Sequence, residues 1–407
     1  MVGAGIGQVF LSKKIKRRGD YLITVTLPGH QPVIEIADKV CYCDVFDKAG
    51  VLCIARQESI DAVISDQNDT MMPTVAFVAE KMDLPGLRGT QVEAYCNKNR
   101  YRDNCDKLDI PVPKHIEVHE LKIPAEFTCV PFPWIVKPAD SQSSVGVEKV
   151  HDEKEYFAAL EKAIGYSKTG SAILEEFFNG QELVAEGFIY QGRYYNLGFA
   201  DRKYFKLDSL FIPSQTIFPS NIDKNVLAKM EACEQRMAEY IKPEFAIVHS
   251  EYLYNPRTQE FRVVESAIRG GGVYISSHLV PLYSGIDINE TLLDCICGKH
   301  IDMNVVMSCR NDKAAAYVCF YLPEGTIINV DGMEEAANLP FVRMMCVDDV
   351  KVGCTTPPLT HKGQRLGPII VTGEDRANIE KNIAFLQKLI KVTVRNNKGD
   401  ELGIIWN

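Results

Sequence analysis

Residues 135–147 read IVKPADSQSSVGV. A short apolar strand ends in a lysine and a proline, and a run of small polar residues follows, closing at Gly146. Such a loop suits a polyphosphate. Its backbone N–H groups and hydroxyls reach the phosphate oxygens, while Lys137 supplies a point charge. Taken alone, the same letters also describe a solvated serine-rich loop beside a surface lysine. The strand is expected over residues 133–138. Beyond the loop, an amphipathic helix is expected over residues 152–165, with Asp152 as N-cap and Glu155 three residues on.

Further along, two glutamates interrupt apolar strands: Glu251 in IVHSEYLY and Glu265 at the end of FRVVE. Asn255-Pro256-Arg257-Thr258 between them is a turn sequence. An odd number of loop residues sets the two acids opposite each other on one face. Like charges so placed are destabilising without a cation between them. Hard oxygen ligands of this kind suit Mg²⁺ held jointly with substrate phosphates, although two exposed strand glutamates also fit the pattern. His249, two residues before Glu251, is expected in a core or supporting role rather than in acid–base work. Arg269-Gly270-Gly271-Gly272 follows, a guanidinium beside a flexible turn that suits an anionic substrate group. Ahead of the pair, Ile173–Phe178 and then Glu182 offer backbone groups for a base and a carboxylate for ribose hydroxyls.

The first ninety or so residues alternate strands and helices. Strands are expected over 21–26 and 61–65, and helices over 8–18, 48–57 and 70–82. This alternation predicts a parallel sheet with helices on its faces. Gly3-Ala4-Gly5-Ile6-Gly7 opens the first helix. Its spacing is not G-x-G-x-x-G, and no acid ends the next strand to hold a ribose. A tight turn is therefore expected rather than a dinucleotide site. Only Met1 and Val2 precede these glycines, so the sheet lacks most of its first strand or starts late. Residues 109–113 (DIPVP) read as a linker. Strands follow over 172–177, 183–190, 193–199, 246–254 and 261–264, with a helix over 223–240. From about residue 314 a smaller α+β unit is expected, with a long helix over 375–390.

Composition narrows the classes. The chain has 407 residues, enough for two or three domains at ~150 residues each. Its net charge of −9 argues against general nucleic-acid or anionic-membrane binding. The longest apolar run, residues 314–322, is far short of the ~20 a membrane span needs. No secretory leader pattern is visible. Thirteen scattered cysteines, none spaced C-x-x-C, predict reduced and mostly buried thiols and a cytoplasmic protein without a zinc or iron–sulfur site.

In this order, these pieces resemble the ATP-grasp superfamily, in particular its carboxylate–amine ligases and the related biotin carboxylase and carbamoyl-phosphate synthetase large-subunit proteins. The resemblance covers nearly the whole chain. It implies an α/β and α+β architecture: a parallel-sheet pre-grasp domain over 1–95, an ATP-grasp domain of two subdomains over 96–305, and a small C-terminal α+β domain over 306–407. By the same resemblance Lys98 and Lys137 contact ATP, and Ser143, Ser144, Val145 and Gly146 form the mobile phosphate loop. Glu175, Glu176 and Phe178 are the hinge that meets adenine, and Glu182 holds ribose. Glu251 and Glu265 bind one or two Mg²⁺, with Mn²⁺ as a possible substitute. Arg269 steadies the acyl phosphate and, with Lys137, is catalytic. Lys203, in Asp201-Arg202-Lys203, and Arg269, Gly270 and Gly271 lie near the substrate.

One position departs from the family pattern. Ala267 stands where an asparagine usually completes the metal shell, with Ser266 or water left to compensate. The implied activity is ATP-dependent coupling of a small carboxylate, such as an amino acid, to an amine, with ADP and phosphate as products. No nucleic-acid or membrane partner is implied, and a homodimer is compatible. A non-catalytic ATP-binding protein is the alternative, supported by Ala267. A free-standing biotin-carboxylase-like enzyme is a further one, although the chain lacks an A-M-K-M biotinyl motif. A nicotinamide-dependent oxidoreductase built on Gly3–Gly7 is disfavoured by the missing ribose acid.

Overall fold

The N-terminal parallel sheet has two strands among the described residues. In the computed structural model, which describes residues 1–140, 146–206, 212–272, 274–359 and 364–406, β1 (Ile23–Thr26) and β2 (Lys39–Tyr42) pair in parallel. Val2 adds a single parallel bridge to Val25. The expected strand over 61–65 is instead an irregular segment, tied to Val2 by one backbone hydrogen bond at Ile64 O (2.9 Å). Helices Val9–Arg17, Lys48–Gln57 and Met72–Met82 match the predicted ones within about two residues.

A second sheet takes the serine-loop strand into its centre. β3 (His115–Val118), β4 (Trp134–Pro138), β5 (Glu148–Val150) and β6 (Ala172–Glu176) are ordered β3-β6-β4-β5, all antiparallel. Helix Glu153–Tyr166 covers it. The Asp152 side chain caps the Glu155 N–H, and the Glu155 carboxylate accepts the His151 N–H at 2.7 Å. The predicted cap is therefore made, while Glu155 reaches past the N-cap to the residue before it. The stretch read as a linker is pinned rather than loose: Val263 N–H donates to Pro111 O at 2.8 Å. That contact covers part of an edge strand that would otherwise be open.

The third sheet holds most of the remaining chain. It comprises β7 (Gln181–Tyr190), β8 (Arg193–Tyr204), β9 (Pro213–Phe218), β10 (Phe245–Asn255), β11 (Glu260–Ala267) and β12 (Ala314–Phe320). β13 (Gly325–Asp331), β14 (Val342–Met345), β15 (Thr355–Thr356), β16 (Leu366–Gly373), β17 (Lys391–Arg395) and β18 (Glu401–Leu402) follow. Of these, β14 and β16 complete the third sheet, whereas β13, β15, β17 and β18 form a fourth, ordered β15-β13-β17-β18. The order β11-β10-β7-β8-β9-β12-β16-β14 makes one antiparallel sheet that runs through residue 306 without a break. β12 reads as a continuous apolar run because both its faces are covered: Ala315, Tyr317 and Cys319 on one side, Ala316, Val318 and Phe320 on the other. Helix Arg376–Leu389, capped by Asp375, packs on β16 and β12.

Alternation along β7 and β10 sorts the two faces. Leu183, Ala185, Ala246 and Val248 pack against Met230, Cys233 and Met237 of helix Lys224–Ile241. Val184, Phe188 and Ile247 turn the other way, toward Leu11, Ile15, Ile275 and Leu279. The acids at 182, 186 and 251 share the parity of this second face. A bulge separates Glu186 from Gly187 in the β7–β8 register. A Cβ on Gly187 would lie 2.2 Å from the Tyr194 ring. Gly187→Ala should therefore lower stability by about 1–3 kcal/mol through overpacking, measured as a fall in the urea midpoint with unchanged slope.

All thirteen cysteines are free thiols. Cys105, Cys233, Cys295 and Cys319 are buried, but Cys53, Cys129, Cys297, Cys309 and Cys354 are exposed, so the expectation of mostly buried thiols fails. The exposed ones lie on helix surfaces and loops, where a small thiol meets no packing demand.

Candidate active site

The strand-end lysine is buried in an ion triad. Lys137 Nζ lies 2.7 Å from Glu175 Oε2, and Arg102 donates to Glu175 Oε1 at 2.8 and 3.0 Å. Arg102 also donates to Val264 O, which ties β6 to β11. All three side chains are at most 6% exposed. Burial alone would raise the Glu175 carboxyl. The two cations outweigh it and hold the carboxyl at about 2. Lys137 responds in the opposite sense. Burial, with Arg102 and Lys98 nearby, pushes its ammonium down in spite of Glu175. Two cations share one carboxylate, so the triad carries a net positive charge that an incoming phosphate would compensate.

Next to it lies the acid pair. Glu251 and Glu265 are direct cross-strand partners in the β10–β11 register. Arg202 donates to both Glu251 Oε1 (2.7 Å) and Glu182 Oε1. His249 Nε2 lies 3.7 Å from the same Glu251 oxygen. Burial raises Glu251, but Arg202 and His249 outweigh it and hold the carboxyl well below the usual carboxylate range. Burial and the adjacent Glu251 charge push Glu182 up despite Arg202. Tyr204 Oη also donates to Glu182. Lys98 Nζ stands 3.9 Å from Glu265.

Lys203, expected near the substrate, is exposed. Arg202 and Tyr204 both reach Glu182, so Lys203 between them projects from the opposite side of β8. Arg202 carries the charge inward instead. Ser266 does not compensate for Ala267: its hydroxyl is buried and hydrogen-bonded to Ser250 Oγ at 2.8 Å.

Arg269 closes the third side. Its guanidinium donates to Asp69 Oδ2 (2.6 Å) and to Gly270 O. Arg269 Nε and Asp69 Oδ1 are buried with no hydrogen-bond partner among the described residues. Glycines are required after it because other groups close in. A Cβ on Gly270 would lie 2.4 Å from Ser276 Oγ and 2.8 Å from Asp66 Oδ1. One on Gly271 would lie 2.1 Å from Glu186 Oε1. Asp66, 1% exposed, is pushed up to about 6 by burial.

Elsewhere, Glu176 exchanges hydrogen bonds with Lys114 through its backbone N–H and its carboxylate. The Arg262 guanidinium lies 4.8 Å over the Phe178 ring. Ser143, Ser144 and Val145 fall outside the described residues. Gly146 is in the left-handed region (φ +72°), where a Cβ would meet Pro138 at 2.8 Å.

Comparison with known proteins places this arrangement. The D-ala D-ala ligase C-terminus family model matches residues 105–189, and the L-amino acid ligase C-terminal domain 2 model matches residues 318–395. Among solved structures, an L-amino acid ligase from Bacillus licheniformis superposes with a TM-score of 0.80 at 20% identity, covering 97% of this chain and 98% of that one. A phosphoribosylglycinamide synthetase from Anaerococcus prevotii gives 0.76 at 19% identity, with 97% and 98% covered. The chain has the ATP-grasp fold.

At the sequence level the relatives are partial. A D-alanine–D-alanine ligase of Solibacter usitatus is 34% identical over 116 residues, covering 27% of this chain and 34% of the relative. A carbamoyl phosphate synthase large chain of Clostridium botulinum is 24% identical over 152 residues, covering 37% of this chain and 14% of the relative. The chain thus spans about a third and about a seventh of the lengths of these two relatives. No group of three or more metal-binding side chains occurs among the described residues. A cation held by Glu251 and Glu265 would need further oxygens, as a phosphate substrate provides. The Arg202 and His249 contacts with Glu251 both fall on Oε1, so Oε2 is the oxygen left to face a cation. No helix among the described residues is long and apolar enough to cross a membrane.

Proposed function

We propose that the chain is an ATP-dependent ligase that activates a small carboxylate as an acyl phosphate and couples it to an amine. The observation that carries this reading is the convergence of three charged groups: the Lys137–Glu175–Arg102 triad, the facing acids Glu251 and Glu265, and Arg269 held by Asp69. Phosphoryl transfer asks a protein for positioning and charge neutralisation rather than a covalent nucleophile.

In the first step a substrate carboxylate oxygen bonds to the γ-phosphorus as the bond to the β-bridging oxygen breaks, releasing ADP. Lys137 faces the negative charge spread over the phosphates. In the second step the amine nitrogen bonds to the acyl carbon, the acyl C–O bond breaks with loss of phosphate, and the nitrogen gives up a proton. Arg269 meets the oxyanion of the tetrahedral state, and Asp69 fixes its guanidinium. Glu251 and Glu265 are the residues that would hold Mg²⁺, which when bound neutralises phosphate oxygens. Asp66, buried beside Gly270, suits a substrate ammonium and so favours an amino acid as the carboxylate component. ATP binding without turnover is the second reading, and Ala267 supports it.

The test is ADP release with Mg-ATP across a panel of carboxylates and amines. ADP that appears with one carboxylate–amine pair establishes a ligase. Mg-ATP binding by calorimetry with no ADP from any pair favours the non-catalytic reading. Failure to bind Mg-ATP overturns both.

A further inference from the structure

We propose that Glu186 is a positioning residue that sets the metal-binding edge of β10 and the Arg269 turn as one unit, acting through His249 and the Gly271 amide. The inference rests on the reading of Glu251 and Glu265 as cation ligands. Glu186 is wholly buried, and its neighbours two residues away on that face of the strand are Val184 and Phe188. A carboxylate buried there is destabilising unless it is paired. A valine would fill the space without that cost, so the fold alone does not call for an acid.

Its partners give the reason. His249 is its direct cross-strand partner, and His249 Nδ1 is hydrogen-bonded to Glu186 Oε1. The other ring nitrogen, His249 Nε2, faces Glu251. The second carboxylate oxygen, Oε2, accepts the Gly271 N–H at 3.5 Å. Glu186 therefore holds a ring against Glu251 with one oxygen, and with the other it holds the glycine turn that follows Arg269. Gly271 has no room for a side chain because Glu186 Oε1 occupies the place. On its far side Glu186 pairs in register with Gly198, where a Cβ would lie 2.5 Å from the Tyr283 ring. The two oxygens of the one carboxylate thus serve both partners at once.

The test uses Mn²⁺ as the probe, with binding to the full chain followed by electron paramagnetic resonance at saturating AMP-PNP. Nucleotide affinity is measured separately in EDTA by calorimetry. Glu186→Gln keeps the shape but replaces one carboxylate oxygen by a donor. It is expected to weaken Mn²⁺ at least tenfold while metal-free nucleotide affinity stays within threefold of the parent. Gly271→Ala, which displaces Glu186 from the opposite side, should reproduce that split, and it keeps the test open if Glu186→Gln does not fold. Glu186→Asp should recover part of the loss. Unchanged Mn²⁺ affinity in both folded variants overturns the proposal, as does an equal fall in Mn²⁺ and nucleotide affinity, which marks a general structural role. If the parent chain itself binds no Mn²⁺ with AMP-PNP, the metal reading of Glu251 and Glu265 fails, and this inference fails with it.

Discussion

Replacing Glu265 by glutamine is expected to reduce ADP release, with whichever carboxylate–amine pair supports it, by about 10²–10³-fold while leaving the thermal midpoint nearly unchanged. The two expectations separate because of where Glu265 sits. Glu251 is tied to Arg202 and His249, so removing its charge disturbs a buried network. Glu265 is 43% exposed, and its charged contact with Lys98 is loose at 3.9 Å. Such a pair contributes about 0–1 kcal/mol to stability. Its loss as a cation ligand is larger, because a metal ion supplies several kcal/mol of charge stabilisation at the transferring phosphoryl group. A factor of 10²–10³ corresponds to about 3–4 kcal/mol. Initial-rate ADP release and differential scanning calorimetry on the same preparation check both halves. Full activity in the folded variant would remove Glu265 from the proposed metal pair.

The parts of this site legible in the sequence share one property. Lys137, Glu251 and Glu265 each interrupt or end an apolar strand, where a charge is destabilising unless something uses it. Glu251 and Glu265 do face each other, but not through the turn. The loop between the paired Asn255 and Glu260 has an even count of residues, which alone would set Glu251 against Val264. A bulge between Glu251 and Tyr252 shifts the register so that Glu265 takes that place. Glu186 carries the same signature, a lone acid in LVAEGFIY, and is the position that this signal identifies beyond the resemblance. Arg102 is harder to find. It lies in KNRYRDNCDK, a helix so polar that one buried arginine looks like its exposed neighbours. Only the buried pair Tyr101 and Cys105, four residues apart, marks the inward face beside it. Arg202 and Lys203 are interchangeable by composition, and strand parity decides between them. The continuous sheet through β9 and β12 joins residues about a hundred positions apart, which local periodicity does not encode.

The Glu175 triad carries the second large effect, on stability and its pH dependence. Glu175→Gln removes the one anion between Lys137 and Arg102 and leaves two buried cations facing each other. Breaking a buried ion pair from one side costs about 3–5 kcal/mol. The carboxyl itself gives a consistent figure. Its usual value is 4.5 and in the folded chain it is about 2, which is worth about 3 kcal/mol. Because the folded value is depressed, this contribution is fully present above pH 4.5 and is lost as the pH falls toward 2. The parent chain should therefore lose stability steeply across that interval. The glutamine variant, less stable at neutral pH, should lose less over the same range, so the two curves converge in acid. Urea unfolding at a series of pH values measures both. Parallel curves would mean that the Glu175 charge does not hold the cations. The same charge balance bears on nucleotide binding. In the parent the triad has one positive charge in excess, so a phosphate arriving at Lys137 relieves the burial that pushes its ammonium down. In Glu175→Gln the excess rises by one. A variant that still folds should thus bind free ATP no more weakly than the parent, even though it is several kcal/mol less stable. Loss of ATP affinity in a folded Glu175→Gln chain would instead show that the carboxylate is needed to aim Lys137, with its charge a secondary matter.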